Sequence, residues 1–72
     1  MLILDQKMTL LIDITGAVVK ICDGSSESII VANDGTCIYE LGTYSKERSR
    51  EILREICDAR MNGMELFRMP EE

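Results

Sequence analysis

The chain has 72 residues, 46% of them hydrophobic, and it has a formal net charge of −5 with no histidine. This length fits one small domain, residues 1–72. The negative charge argues against direct binding to nucleic acid or to an anionic membrane, since both depend on basic residues. The apolar runs are too short for a membrane span or for the core of a signal peptide, so we expect a cytoplasmic protein.

The first fifteen residues have the alternation that is typical of β-strands. Residues 1–5 are mostly apolar and predict a short strand. In residues 8–15 the even-numbered positions are apolar and most odd-numbered positions are polar. A period of two with one polar face predicts a half-buried strand. A single long strand over residues 1–15, with a bend near Gln6, is the alternative.

The β pattern continues to residue 43. Residues 17–22 predict a third strand, and the polar, turn-like segment 23–27 follows it. The sequence Asn-Asp-Gly at 33–35 then predicts a tight turn, because these residues tolerate the positive φ that short hairpin turns require. The turn is preceded by a β-branched run and followed by an alternating one. We therefore predict an antiparallel hairpin over residues 28–43.

The segment after the strands has a helical pattern. Ser45 is a suitable N-cap, because its hydroxyl can accept a hydrogen bond from a free amide of the first turn. Apolar residues then recur at helical spacing, at Ile52, Leu53, Ile56 and Cys57. Charged residues of opposite sign fill the other positions as i,i+3 and i,i+4 pairs. Asn62 and Gly63 can adopt the left-handed conformation that ends a helix.

Together these elements predict an α+β fold. Its antiparallel sheet would have four or five strands within residues 1–44, and a short strand at about 64–69 would follow the helix. The helix, at about 46–61, has an apolar stripe only one face wide. We therefore expect it to cover one face of the sheet.

The sequence contains no recognisable catalytic or metal-binding motif. It has no histidine to act as a base, no glycine-rich phosphate loop and no G-x-S-x-G motif. Its three cysteines, Cys22, Cys37 and Cys57, are too few and too widely spaced for a structural zinc site. We expect them to be buried as small hydrophobic residues. The expectation is a protein with no catalytic residues, no metal and no cofactor.

Two groups of residues are candidates for contacts with other proteins. Four acidic residues are candidates for binding a basic surface of a partner: Asp23, Glu27, Glu47 and Glu51. Four apolar residues near the C-terminus are candidates for self-association: Met61, Met64, Phe67 and Met69. Methionine is common at surfaces that bind partners, and a short chain without a disulfide or metal often gains stability from a second subunit. Leu11 and Val18, on strand faces that point outward, add to this apolar surface, and we expect a homodimer.

Three segments resemble a group of short, uncharacterised proteins encoded by phages and mobile elements of Gram-positive bacteria. They are LILDQ near the start, YELGTYSKERSREILREI in the middle and LFRMPEE at the end. The resemblance implies a mobile-element accessory protein, and small acidic proteins of that kind often inhibit a host protein by occupying its basic or substrate-binding surface. The leading hypothesis is therefore a non-enzymatic inhibitor of a host protein, for example in antiviral defence. The alternative is an assembly module that acts through self-association.

Overall fold

The structure, a computed structural model, describes residues 1–72 and contains six β-strands and one α-helix. The strands are β1 (Leu2–Leu4), β2 (Leu11–Asp13), β3 (Val18–Asp23), β4 (Glu27–Asn33), β5 (Ile38–Ser45) and β6 (Leu66–Arg68), and the helix α1 (Lys46–Met61) lies between β5 and β6 in the chain. The α+β class, the hairpin and the helix agree with the sequence-based predictions. The helix lacks the length and the apolar run that crossing a membrane would need.

The strands form two sheets instead of the single sheet of four or five strands that the sequence predicts. The smaller sheet has the order β2-β1-β6 and the larger one has the order β3-β4-β5. The turn between β2 and β3 redirects the chain at Gly16, whose φ of +77° favours glycine. The larger sheet is antiparallel throughout. In the smaller sheet β6 pairs in parallel with β1, from the opposite end of the chain.

Residues 1–15 form two strands joined by a turn, so the single-strand alternative is wrong. β1 and β2 pair antiparallel. The buried carboxylate of Asp5 holds the turn, because it accepts hydrogen bonds from the backbone amides of Thr9 at 2.8 Å and Leu10 at 2.9 Å. The bond from Leu10 contributes most to lowering the pKa of Asp5, against the opposing effect of burial. Met8, within this turn, has a φ of 59°, which is uncommon for a residue other than glycine.

The helix covers one face of the larger sheet, as the sequence predicts. It packs against β3, β4 and β5. Ile52 and Ile56, from the predicted apolar stripe, are 0% and 4% exposed, whereas Leu53 is half-buried. The inward side chains of the sheet that share a core with them include Ile30 and Leu41. This burial of one helix face against one sheet face is the main packing contact of the larger sheet.

Both ends of the helix have the capping residues that the sequence predicts. The hydroxyl of Ser45 accepts a hydrogen bond from the amide of Arg48 at 3.1 Å. At the other end Gly63 has a φ of +71°, its amide donates to the carbonyl of Arg60, and the amide of Met64 donates to the carbonyl of Ala59. This pair of bonds is the Schellman motif, which satisfies the last carbonyls of a helix.

One hydrophobic core joins both sheets and the helix. Its buried members are Ile3, Ile12, Ile14, Ile30, Ala32, Leu41, Tyr44, Ile52, Ile56 and Met69. Two serines are also fully buried, and both are satisfied: Ser28 donates to the carboxylate of Asp23, and Ser49 donates to the backbone carbonyl of Ser45. Residues from the two sheets therefore depend on the same core for their burial.

The prediction that the cysteines are buried is wrong, since all three are exposed. Cys22 lies on the face of β3 that alternates away from the core, opposite Ile29 of β4. Cys37 immediately precedes β5 and so lies in the turn of the hairpin. Cys57 follows the buried Ile56, and one residue further along a helix turns the side chain by about 100° around the axis. That rotation takes Cys57 out of the buried stripe.

Candidate interaction surfaces

The negative charge of the protein is concentrated outside the helix. Within Lys46–Met61 there are five Lys and Arg against four Asp and Glu, which leaves a net charge of +1. The rest of the chain has three basic against nine acidic residues, which leaves −6. A helix face that carries Glu47 and Glu51 is therefore not acidic as a whole. What matters is which carboxylates are neutralised by neighbouring basic groups.

Asp23 has a structural role at the turn between β3 and β4. Its carboxylate accepts a hydrogen bond from the hydroxyl of Ser28 at 2.6 Å and forms an ion pair with Arg50 at 3.1 Å. The Ser28 bond, followed by the bond from Arg50, lowers the pKa of Asp23. Glu27 begins the next strand and is exposed, with no ion pair. Of these two predicted partner-binding residues, Asp23 already has a basic neighbour within the chain.

The other two predicted acidic residues lie on the helix, in a group that we call the acidic corner. The acidic corner consists of Glu47, Glu51, Glu55 and Glu72 around Arg48. The guanidinium of Arg48 contacts the carboxylates of Glu55 at 2.8 Å and Glu51 at 3.1 Å, and its Nε donates to the backbone carbonyl of Glu72 at 3.0 Å. These contacts, the one with Glu55 first, raise the pKa of Arg48. Glu47 lies four residues before Glu51, on the same exposed side of the helix.

Three side chains hold the backbone of residues 70–72. Tyr44 donates its hydroxyl hydrogen bond to the carbonyl of Pro70 at 2.5 Å, and Gln6 donates to the carbonyl of Glu71 at 2.7 Å. Arg48 holds the carbonyl of Glu72, so three successive carbonyls have partners. Burial raises the pKa of Tyr44 to about 12, so its hydroxyl remains a donor well into the alkaline range. These bonds fix the backbone that places Glu72 beside the helix.

Gln6 also joins the two sheets. Its side-chain oxygen accepts from the amide of Thr43 at 2.8 Å and its side-chain nitrogen donates to the carbonyl of the same residue at 3.2 Å. The backbone amide of Gln6 donates to the carbonyl of Leu41 at 2.8 Å. The primary amide thus reproduces one step of a β-ladder on the outer edge of β5. No sequence motif indicates this role of Gln6, because the amide and the carbonyl of Thr43 that it binds are backbone groups.

The ring of Tyr44 can reach the carbonyl of Pro70 because residue 42, which lies against the ring, is a glycine. A Cβ atom at Gly42 would lie 2.6 Å from the ring of Tyr44, closer than side chains tolerate. Tyr44 is only 3% exposed and reaches Pro70 across this position. Gly42 is therefore needed so that the tyrosine can hold the end of the chain.

The structure does not bring the four predicted self-association residues together on one surface. Met61 and Met64 are 80% and 51% exposed, but Met69 is 6% exposed and belongs to the core. Phe67 is half-buried and packs against that core. The reason is the alternation of β6, which turns Phe67 inward and Leu66 outward. Met69 and Phe67 therefore stabilise the fold, and Leu66 replaces them at the surface.

The outer side of the smaller sheet has an apolar surface that we call the leucine face. It consists of Leu2, Leu4, Leu11 and Leu66, all on the side away from Ile3 and Ile12. In the register of the sheet, Leu2 lies between Asp13 and Leu66, and Leu4 lies between Leu11 and Arg68. Leu11 is 56% exposed, and Leu2 and Leu66 are each 37% exposed. Leu11 thus points outward as its alternation predicts, as does Val18, which is 61% exposed on the larger sheet.

The side chains do not form a metal-binding cluster: no three His, Cys, Asp or Glu residues converge in a way that could hold an ion. Comparisons of the chain with protein families, with curated proteins and with solved structures found no match. The candidate surfaces are therefore defined by geometry and charge alone.

Proposed function

We propose that this protein is a non-enzymatic binding protein that recognises a basic surface of another protein through the acidic corner. The observation that carries the proposal is the sharing of one guanidinium by several acidic residues. Arg48 contacts both Glu51 and Glu55 and also holds the backbone of Glu72. The carboxylates of Glu51 and Glu55 carry two negative charges against the one positive charge of Arg48, so these three side chains together keep a net charge of −1.

The contacts within the corner favour binding because they fix the positions of the carboxylates in advance. Glu51 and Glu55 lie on a capped helix, and the backbone of Glu72 is held from the side by Arg48. Charged groups that are already ordered lose less conformational entropy when a partner binds. Their carboxylates are still exposed, with side-chain exposures of 61% for Glu51 and 47% for Glu55. An exposed negative group of this kind accelerates association with a basic surface.

The resemblance to proteins of phages and mobile elements supplies the biological setting of the proposal. In that setting the partner is a protein of the bacterial host, and binding to its basic surface would inhibit it, for example in antiviral defence. This part of the proposal concerns the identity of the partner. The physical part concerns the acidic corner and can be tested without knowing the origin of the protein.

The test compares two variants with equal changes of charge. The double variant Glu47→Gln and Glu51→Gln removes two charges from the acidic corner, and the matched control, Glu40→Gln and Glu65→Gln, removes two exposed charges elsewhere. Each protein is immobilised and exposed to bacterial lysate at low and at high salt, and the captured proteins are quantified by mass spectrometry. We expect a partner that wild type and the control retain at low salt and that the corner variant loses.

Binding constants of that partner for the wild type and each variant would then show whether the acidic corner is the binding site. Exposed charges are screened over about 8 Å at physiological ionic strength, so affinity for the wild type should fall as salt rises. The variant Glu27→Gln tests the other predicted acidic residue in the same assay. Equal affinity for the corner variant and the control would overturn the proposed role of the corner.

A second candidate function, assembly through self-association, is favoured by the leucine face. Large exposed apolar patches on small proteins often mark interaction sites. Sedimentation of the wild-type protein over a wide concentration range tests this candidate, because a self-associating protein gains mass as its concentration rises.

A further inference from the structure

The leucine face is an apolar surface on which Leu2, Leu11 and Leu66 are exposed to solvent, while Leu4 is half-buried. The helix packs against the larger sheet, and the inner side of the smaller sheet is filled by the shared core. The outer side presents four leucines on three neighbouring strands. Met64, 51% exposed, lies two residues before Leu66 and is a further exposed apolar side chain next to β6 in the chain. Such a surface is stabilised when another apolar surface removes it from water.

Two charged residues mark opposite corners of this face. Asp13 lies on β2 in the row of Leu2, and Arg68 lies on β6 in the row of Leu4. They are therefore on different edge strands and in different rows. Arg68 forms no ion pair within the chain, whose ion pairs involve other basic groups. Asp13 is 62% exposed, and one of its oxygens contacts the amino terminus at 3.7 Å and accepts from the amide of Thr15.

We propose that the occupant of the leucine face is a second copy of the chain, packed face to face about a two-fold axis. If the axis lies in the interface and runs close to the Leu11–Leu66 diagonal, it exchanges the other two corners. Asp13 of each copy then meets Arg68 of the other, while the leucines of the two copies cover one another. A two-fold interface requires a surface that complements itself, and opposite charges at exchanged corners provide this. The inference rests on the self-association candidate and adds the surface and the pairing.

The small area of the leucine face limits the affinity of the dimer. A standard interface contributes about 20–30 residues from each partner, whereas the leucine face and its two charged corners supply six side chains, and Met64 a seventh. The dimer is therefore weak and exchanges readily, with a dissociation constant above about 1 μM. None of the residues of the acidic corner belongs to the leucine face, so the acidic corner of each copy stays outside the dimer interface.

The first test measures the dissociation constant by sedimentation velocity for the wild type and two matched variants. Leu11→Glu places a charge in the leucine face, and Val18→Glu places the same charge at a similarly exposed strand position of the other sheet. Thermal unfolding of each variant checks that it is folded. We expect Leu11→Glu to raise the dissociation constant at least about tenfold, and Val18→Glu to change it less than about twofold.

The second test exchanges the corner charges. Arg68→Asp alone sets two carboxylates against each other across the interface, and we expect it to weaken the dimer about threefold to fivefold. The double variant Asp13→Arg with Arg68→Asp restores opposite charges at both contacts and should regain most of the affinity. Loss of affinity on one substitution and recovery on the second would support the two-fold pairing, and no recovery would overturn it.

These measurements separate failure of the inference from failure of self-association. If the wild type remains monomeric up to about 1 mM, a concentration that would populate dimers of μM affinity, both ideas are wrong. If it dimerises but Leu11→Glu and Val18→Glu behave alike, self-association stands and the leucine face is not its interface.

Discussion

The two sheets of this protein are held in place by different means. In the larger sheet the strands have six, seven and eight residues, and a helix covers one face. In the smaller sheet each strand has three residues. Long strands are stabilised by many ladder hydrogen bonds and by packing, whereas strands this short provide few of either. The smaller sheet instead uses side chains, chiefly Asp5 and Gln6, to satisfy backbone groups at its turn and at its junction with β5.

This comparison predicts that the smaller sheet opens more easily than the larger one. Local stability is low where few apolar contacts and many exposed backbone hydrogen bonds hold a segment. The shared core opposes this difference, because Ile3 and Ile12 of the smaller sheet are buried with Ile52 of the helix. Substitutions at the core, at the junction and at the turns therefore test the comparison in different ways.

The largest expected effect comes from the shared core. Ile52→Ala removes a fully buried side chain and should lower the free energy of unfolding by about 2–5 kcal/mol. Because the core joins the two sheets, both should lose protection together. Urea denaturation measures the loss, and the exposed Arg54→Ala serves as control, with an expected change within about 0.5 kcal/mol. A loss for Ile52→Ala no larger than that of the control would contradict the packing of the helix.

The junction between the sheets should give a smaller and more local effect. Gln6→Ala removes three side-chain hydrogen bonds, two to Thr43 and one to Glu71, and should cost about 1–3 kcal/mol. Amide hydrogen exchange measured by NMR should accelerate in β1, β2 and β6 and change little in β4. Gln6→Glu keeps the acceptor for the amide of Thr43 but sets a second carboxylate oxygen against the carbonyls of Thr43 and Glu71, so it should destabilise the junction at least as much as Gln6→Ala. Equal acceleration of amide exchange in both sheets would contradict the prediction that the smaller sheet opens more easily.

The end of the chain should respond to the loss of a single hydroxyl. Tyr44→Phe removes the hydrogen bond to the carbonyl of Pro70 but keeps the buried ring, so the expected cost is about 0.5–1.5 kcal/mol. NMR relaxation should show greater motion of residues 70–72, while the larger sheet stays ordered. Tyr39→Phe, at a half-buried tyrosine of the same strand, is the control. Unchanged order of residues 70–72 in Tyr44→Phe would show that this bond does not hold the tail.

The smallest effect concerns the acid sensitivity of the two aspartate-held turns. Amide hydrogen bonds, the one from Cys37 first, lower the pKa of Asp34 to about 2, and bonds from Leu10 and Thr9 lower the pKa of Asp5. A folded-state pKa below the unfolded value stabilises the protein above about pH 4, the ordinary aspartate pKa, and this stabilisation is lost as the pH falls toward 2.

Asp34→Asn and Asp5→Asn should therefore each flatten the decline of stability over that pH range. Urea denaturation at a series of pH values measures the slope. A decline as steep as that of the wild type in both variants would mean that other groups cause the acid sensitivity.

The sequence predicted those parts of the fold that depend on neighbouring residues. Ser45 and Gly63 mark the helix ends because capping is a local property, and Asn-Asp-Gly marks the hairpin for the same reason. The division into two sheets could not be predicted, because the pairing of β1 with β6 joins Leu2 to Leu66 and leaves no local pattern. The exposure of Cys57 has a related cause. The spacing of apolar residues predicts an apolar stripe on the helix, but it does not determine whether a residue at the edge of the stripe is buried.

The candidate surfaces were predicted only in part for a similar reason. Glu51 belongs to the acidic corner, but Asp23 has Arg50 as a basic neighbour that lies far away in the sequence. Glu55 was detectable in principle, since it lies four residues after Glu51 on the same helix side. The contribution of Glu72 depends on the fixed backbone of residues 70–72 and was not detectable. The predicted methionine surface places Phe67 and Met69 outward, although Phe67 in β6 packs against the core and Met69, the residue after β6, is buried in it.

The parallel pairing of β1 with β6 has a consequence for the order of folding. The larger sheet and the helix are continuous in the chain, from residue 18 to residue 61, so their contacts close short loops at a low cost in entropy. The smaller sheet needs contacts between the two ends of the chain, and such non-local contacts form slowly. During synthesis β1 is made before β6, so its second neighbour exists only after residue 68 has been added. The smaller sheet is therefore complete only after β6 has left the ribosome, and until then β1 lacks one of its two neighbours.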